Sequence, residues 1–208
     1  MISHRYRCVC VHAPRTGGST VEDLIWPPPR SEEELYGGFV DRFHNRHQTG
    51  GLQHLTARQI RADVGDDVFS SYLRFTVVRN PWDRTVSQYA YMARRPDLRE
   101  FLGMPEGADF ATYLRLLDLR EHVQWTPQSA FVTDDDGTLL VDRVLRLERL
   151  AEELPPLLEE LGVPFDDVLP RRNVSVRRPD HRSYYDDETH DLVAERYRED
   201  VERFGYAV

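Results

Sequence analysis

The chain has 208 residues, 40% of them hydrophobic, with 27 basic against 36 acidic side chains and a formal net charge of −9 at pH 7. That length suits a single domain over 1–208. No apolar run approaches a membrane span, and the acidic balance argues against nucleic-acid or membrane-surface binding.

The first strand falls at residues 5–11, with no secretory signal ahead of it, so a cytoplasmic setting is expected. Cys8 and Cys10 lie two apart in that strand and share a face. Two thiols without a nearby His/Cys cluster read as small buried hydrophobes, and no metal is expected. A helix follows from about Ser19 to Trp26 and is stopped by Pro27-Pro28-Pro29. Residues 27–52 read as a long connection in which Ser31-Glu32-Glu33-Glu34 would cap a short helix.

Thr56-Ala57-Arg58-Gln59 matches a capping box and predicts a helix over 57–63. Residues 73–79 have the composition of a strand buried on both faces, and Pro81 suits the first position of a helix reaching Ala93. Residues 94–107 read as loop and 108–118 as helix. Thr133 to Thr138 resembles a hairpin turn, and Val141 to Leu147 a strand. A leucine-rich helix over 148–161 should break at Pro155-Pro156 and end at Gly162. Asp186 to Phe204 is the clearest amphipathic helix, with Val193, Tyr197, Val201 and Phe204 on one stripe. Alternation of strands and helices implies an α/β fold with a central parallel sheet flanked by helices, its ligands at the carboxyl ends of strands.

Two segments carry the chemistry. In the first, the strand runs into Pro14-Arg15-Thr16-Gly17-Gly18-Ser19-Thr20 and then a helix. Gly17 and Gly18 let backbone amides approach an anion, the helix start adds its N–H groups, Arg15 brings charge, and Thr16, Ser19 and Thr20 offer hydroxyls. The chain has no lysine, so cationic contacts fall to arginine or histidine. In the second, Arg79 ends a buried strand and Ser87 lies two turns into the next helix, where both would reach one phosphate. Asp83 and Arg84 read as an ion pair, and Trp82, Tyr89 and Tyr91 as packing residues. Two separated phosphate signals imply a nucleotide carrying phosphates at two places.

The pair Pro14-Arg15-Thr16-Gly17-Gly18-Ser19 and Arg79-Asn80-Pro81-Trp82-Asp83-Arg84-Thr85-Val86-Ser87 resembles the sulfotransferases that use 3′-phosphoadenosine 5′-phosphosulfate (PAPS), in particular the carbohydrate-type branch and its small bacterial relatives. The resemblance extends through Gln53-His54-Leu55-Thr56 and Asp142 to Leu150 to the C-terminal region, leaving 27–52 and 94–125 as variable, acceptor-side segments. It implies a P-loop-like three-layer fold, PAPS as co-substrate, adenosine 3′,5′-bisphosphate as product, and a small-molecule or glycan hydroxyl as acceptor. The first motif would hold the 5′-phosphosulfate and Arg79 with Ser87 the 3′-phosphate. Where the family has a loop lysine, this chain has Arg15, which keeps the charge but gives up the proton-donor role.

Sulfuryl transfer asks for positioning, charge stabilisation and a base for the acceptor proton. His54 is the candidate base, and its position matches the family's catalytic histidine. It lies just before a helix N-terminus, whose dipole disfavours imidazolium. His44 and His47 are rivals, some relatives use a glutamate, and His12 reads as structural or a weak nucleotide contact. The late cluster of Arg171, Arg172, Arg177, Arg178 and Arg182, with Asn173 and Ser175, is a further candidate for the nucleotide. Trp26, Tyr36, His44, Arg46, His47, Arg94, Arg95 and Trp125 are the candidates for the acceptor side. A P-loop kinase is the competing enzyme, disfavoured by the missing Gly-Lys-Ser/Thr signature. A catalytically silent nucleotide-binding module is the competing non-enzyme. Nothing in the sequence indicates an oligomeric state.

Overall fold

The computed structural model describes residues 1–27, 54–166, 168–169 and 177–207. They fall into two compact units, Met1–Val78 with Gln128–Asn173, and Arg79–Pro127 with Val174–Val208.

The first unit is built on a mostly parallel four-stranded sheet in the order β1(Ile2–Ser3), β2(Cys8–Val11), β3(Leu73–Val78), β4(Arg143–Arg146). β2 pairs with β3 (Cys10 opposite Phe75) and β3 with β4 (Val77 opposite Leu145), both in parallel. β1 runs antiparallel to β2, with Ile2 opposite Val9, and the sequence did not announce it. Two residues leave no periodicity to detect, and the chain reverses within four residues, helped by Arg7 at φ 49°. All four residues of β2 are buried, as its unbroken apolar run requires. Cys10 is inert there, since burial pushes its thiol up to about 12.

Helix α1(Gly18–Ile25) begins directly after the turn that follows β2. Its Val21 and Ile25, with Trp26 just beyond, share one core cluster with Cys8, Cys10, Phe75, Val77 and Leu145. Leu150, Leu154, Leu157 and Leu158 of α8(Leu150–Leu161) complete that cluster. The expected break in α8 is corrected: the helix runs through Pro155 and Pro156 to a left-handed Gly162. Two prolines forfeit two backbone donors. Burial of four leucines at i, i+4, i+7 and i+8, each contributing about 1.5–3 kcal/mol, outweighs that loss. The remaining helices of this unit are α2(Ala57–Val64), which carries the expected Thr56/Gln59 capping box, α3(Asp66–Ser71) and α7(Ser129–Val132). The turn at Thr133 to Thr138 is present, closed by a single antiparallel bridge between Thr133 and Leu139.

The second unit is helical. Its α4(Pro81–Met92) starts as expected, with Pro81 in the first turn and the Asn80 side chain accepting from the amides of Trp82 and Asp83. Residues 94–107, expected as loop, contain α5(Pro96–Leu102), a short helix anchored by buried Leu98 and Leu102 and ended by Gly103 in the left-handed region. α6(Phe110–Leu116) follows. The long C-terminal amphipathic helix is in fact two, α9(Asp187–Arg196) and α10(Arg198–Phe204), parted at Tyr197. Tyr197 leaves helical geometry at φ −114° and donates its hydroxyl to the Trp125 carbonyl, so a tertiary hydrogen bond overrides the helical period.

Among the described residues no helix is long and apolar enough to cross a membrane. The Ser31 helix expectation lies outside them. Truncation of the fully buried Leu154 should cost about 2–5 kcal/mol. Urea unfolding of Leu154→Ala measures it, and a cost well below 1 kcal/mol would mean that α8 does not anchor the sheet.

Candidate active site

In the first unit, β2 delivers His12, Ala13 and Pro14, all buried, into the glycine turn. Arg15 adopts φ 66° and Gly17 φ 86°. A left-handed arginine costs about 1–2 kcal/mol, and strain of that kind is retained where backbone amides must be aimed. Gly17 is the N-cap of α1, and no side chain caps it. Its left-handed backbone is one reason for glycine, and Leu147 packed where a Cβ would stand is another. At Gly18 the reason differs: a Cβ there would overlap the His12 imidazole.

Ser19 and Thr20 are half-buried in the first turn of α1. Thr16 departs from expectation. Its side chain is fully buried and its hydroxyl donates to the Ala13 carbonyl at 2.8 Å, so it closes the loop and does not offer its proton outward.

His54 sits beside this loop. Its Nδ1 lies 2.9 Å from the His12 carbonyl oxygen, an acceptor only, so Nδ1 carries the proton and Nε2 is the basic nitrogen of the neutral ring. The His12 and His54 rings meet edge to face with centroids 4.7 Å apart. His12 Nδ1 in turn lies 2.8 Å from Glu22 Oε1, and both side chains are buried. Gly18, Val21, Glu22 and Ile25 form the buried stripe of α1. Sequence reasoning passed over Glu22, although a lone acid within an i, i+3, i+4, i+7 apolar stripe was the available signal.

In the second unit, Arg79 directs Nε and Nη2 onto Asp83 Oδ2 at 2.9 and 2.7 Å. Arg177 Nη2 takes Asp83 Oδ1 at 2.5 Å, with His181 Nδ1 3.6 Å from the same oxygen. Burial pushes the Asp83 carboxyl up, but Arg79 and Arg177 outweigh it and hold the group below its ordinary value. His181 is held below its ordinary value chiefly by burial, against the pull of Asp83. Arg177 Nη1 is buried and has no hydrogen-bond partner. A buried guanidinium donor left unpaired is costly and suits an anion that arrives later.

Ser87, one turn beyond Asp83 and so on the same face of α4, is 1% exposed. Arg84 is not Asp83's partner as expected; it is buried with its guanidinium over the Tyr197 ring. Trp82 and Tyr89 pack as expected, Trp82 stacked on His190.

Two acceptor-side candidates are corrected. Trp26 and Trp125 are both buried, and their indole N–H groups donate to the carbonyls of Ile2 and Arg120. Arg95 is tied to Asp97 and to the Tyr91 hydroxyl. Tyr36, His44, Arg46, His47, Arg171, Arg172, Asn173 and Ser175 lie outside the described residues. Among the described residues no group of His, Cys, Asp or Glu side chains is placed to hold a metal.

A mostly parallel sheet flanked by helices, with a glycine-rich loop between its first long strand and a helix N-terminus, defines a P-loop-like α/β protein built to receive a phosphate-type anion. A model of the sulfotransferase family matches residues 2–207, nearly the whole chain, and the chain belongs to that family. It is thus a PAPS-dependent sulfotransferase, an enzyme class that generally draws the sulfuryl group from PAPS. No curated protein matches the sequence. The residues present fit such a donor: in the first unit a loop turned left-handed at Arg15 and Gly17 ahead of a helix start, and in the second a buried guanidinium N–H of Arg177 without a hydrogen-bond partner.

A carboxyl held low in the folded chain stabilises it at higher pH and loses that contribution as the pH falls through its folded pKa. Asp83→Asn should therefore lower stability by about 2 kcal/mol at neutral pH. The gap from wild type should close as the pH drops below the ordinary carboxyl value of 3.8. Urea midpoints at stepped pH test this, and a gap that stays constant would remove charge as the cause.

Proposed function

We propose that this sulfotransferase moves the sulfuryl group of PAPS to a hydroxyl of a carbohydrate or glycolipid by in-line displacement, with His54 as the base. The observation that carries this reading is the packing of His54 against the residue that opens the glycine loop, in the tautomer that leaves Nε2 basic. Bound PAPS supplies an activated sulfuryl group on a bisphosphate leaving group. The amides of Thr16, Gly17, Gly18, Ser19 and Thr20, the hydroxyls of Ser19 and Thr20 and the start of α1 bind the 5′ end. Arg15 adds a fixed charge that stabilises the developing anion, but does not protonate it.

Arg79 and Ser87 bind the 3′-phosphate. Asp83 holds the Arg79 fork in one orientation, and Arg177 adds its unpaired Nη1–H to the same anion. The late arginine cluster thereby contributes through Arg177. Arg178 instead stacks on Tyr184 and donates to the Ser183 carbonyl. The acceptor class rests on the likeness of the two motifs to the carbohydrate-type branch.

Calorimetry with adenosine 3′,5′-bisphosphate should show metal-independent binding, weakened roughly 10- to 100-fold in Arg79→Ala. Tighter binding of magnesium-ATP would overturn the donor assignment. His54→Ala should lower turnover by roughly 10²- to 10⁴-fold while sparing bisphosphate affinity, and undiminished turnover would remove His54 as base. Mass spectrometry of glycan and glycolipid pools incubated with labelled PAPS identifies the acceptor. Label confined to non-carbohydrate hydroxyls would refute the acceptor class.

A further inference from the structure

Glu22 is a buried acid, 3% exposed, on the face of α1 that packs into the core, and no step above uses it. Its Oε1 takes the His12 Nδ1 at 2.8 Å. The His12 ring is 5% exposed and touches two functional elements at once. One side lies against the Cα of Gly18, so closely that any side chain there would overlap it. Another side packs edge to face on the His54 ring, 4.7 Å between centroids, while the main-chain carbonyl of His12 accepts from His54 Nδ1.

We propose that Glu22 and His12 are positioning residues for His54: the Glu22 carboxylate locks the His12 ring between the glycine loop and His54, and the locked ring holds His54 in the tautomer with Nε2 basic. This rests on His54 as the base. The ionised carboxylate accepts only, so His12 Nδ1 bears a proton and the ring is fixed about its side-chain torsions. Without that anchor the ring leaves the wedge between Gly18 and His54. His54 then loses one wall of its site and can turn its Nδ1–H away from the His12 carbonyl. A partner that fixes tautomer and ring plane is the usual means by which a protein sets which histidine nitrogen reacts. The same wedge makes the loop and the base one mechanical unit, since a shift in the backbone at Gly18 pushes on the ring that touches His54.

The test uses the full chain labelled with ¹⁵N-histidine, in which long-range proton–nitrogen spectra report the tautomer of each imidazole without any acceptor. In wild type His54 should show the Nδ1–H form. Glu22→Ala should convert it largely to the Nε2–H form, and Glu22→Gln, whose amide oxygen still accepts from His12, should restore it. His12→Asn keeps a donor for Glu22 but removes the ring, so it should fail as Glu22→Ala does even where the alanine variant does not fold. With PAPS turnover as the second readout, Glu22→Ala should lose roughly 10-fold or more, with no further loss in the His54→Ala background. Adenosine 3′,5′-bisphosphate affinity should stay within about 3-fold, because the nucleotide contacts remain. An unchanged His54 tautomer in both Glu22→Ala and His12→Asn, or losses that multiply with His54→Ala, would overturn the proposal. Full turnover in His54→Ala with the tautomer switching as stated would instead remove the base assignment alone.

Discussion

The close approach of the His12 ring to the backbone of Gly18 is the constraint on which the rest of this loop depends. It dictates glycine at the first position of α1, sets how near the helix start can come to β2, and gives His54 a surface to lean on. Sheet burial makes the approach possible. Because every residue of β2 is enclosed, the strand cannot shift to relieve a crowded turn, and the crowding falls on backbone torsions at Arg15 and Gly17. Leu147, just after β4, packs against Gly17 and so connects the loop to a third strand of the sheet.

The two units would meet an anion by different physics. The first relies on backbone: left-handed torsions, a helix start with no side-chain cap and a glycine at a contact. The second relies on side chains, two guanidinium groups organised about one carboxylate. Backbone amides suit a group whose charge grows during reaction, since they are held in place before it arrives. Forked arginines suit a group whose charge stays constant.

What the sequence disclosed followed the locality of the cause. Asn80-Pro81 and Thr56/Gln59 act within one turn, and the helices they start were legible. β2 was legible because double burial writes itself as an uninterrupted apolar run, and β3 through its β-branched and aromatic residues and the fully buried stretch Phe75 to Val78. β1 was not, since its two residues are a strand only by pairing with β2. The continuity of α8 through two prolines and the break at Tyr197 are both decided by distant partners, a leucine stripe packed in the core and the Trp125 carbonyl. At the site, the glycine loop, His54, Arg79 and Ser87 could be named from motif and resemblance. The tie from Glu22 to His12, and from Arg177 to Asp83 across 94 residues of sequence, is made by the fold and leaves no local pattern.

Asp83 leaves a simple sum of charge behind. Arg79 and Arg177 bring two positive charges to its one negative charge. His181 Nδ1 lies 3.6 Å from Asp83 Oδ1, and burial holds that imidazole below its ordinary value. A phosphate monoester gains its second negative charge near pH 6. An anion of that kind, met by arginines in a chain without lysine, would bring a pH dependence of its own.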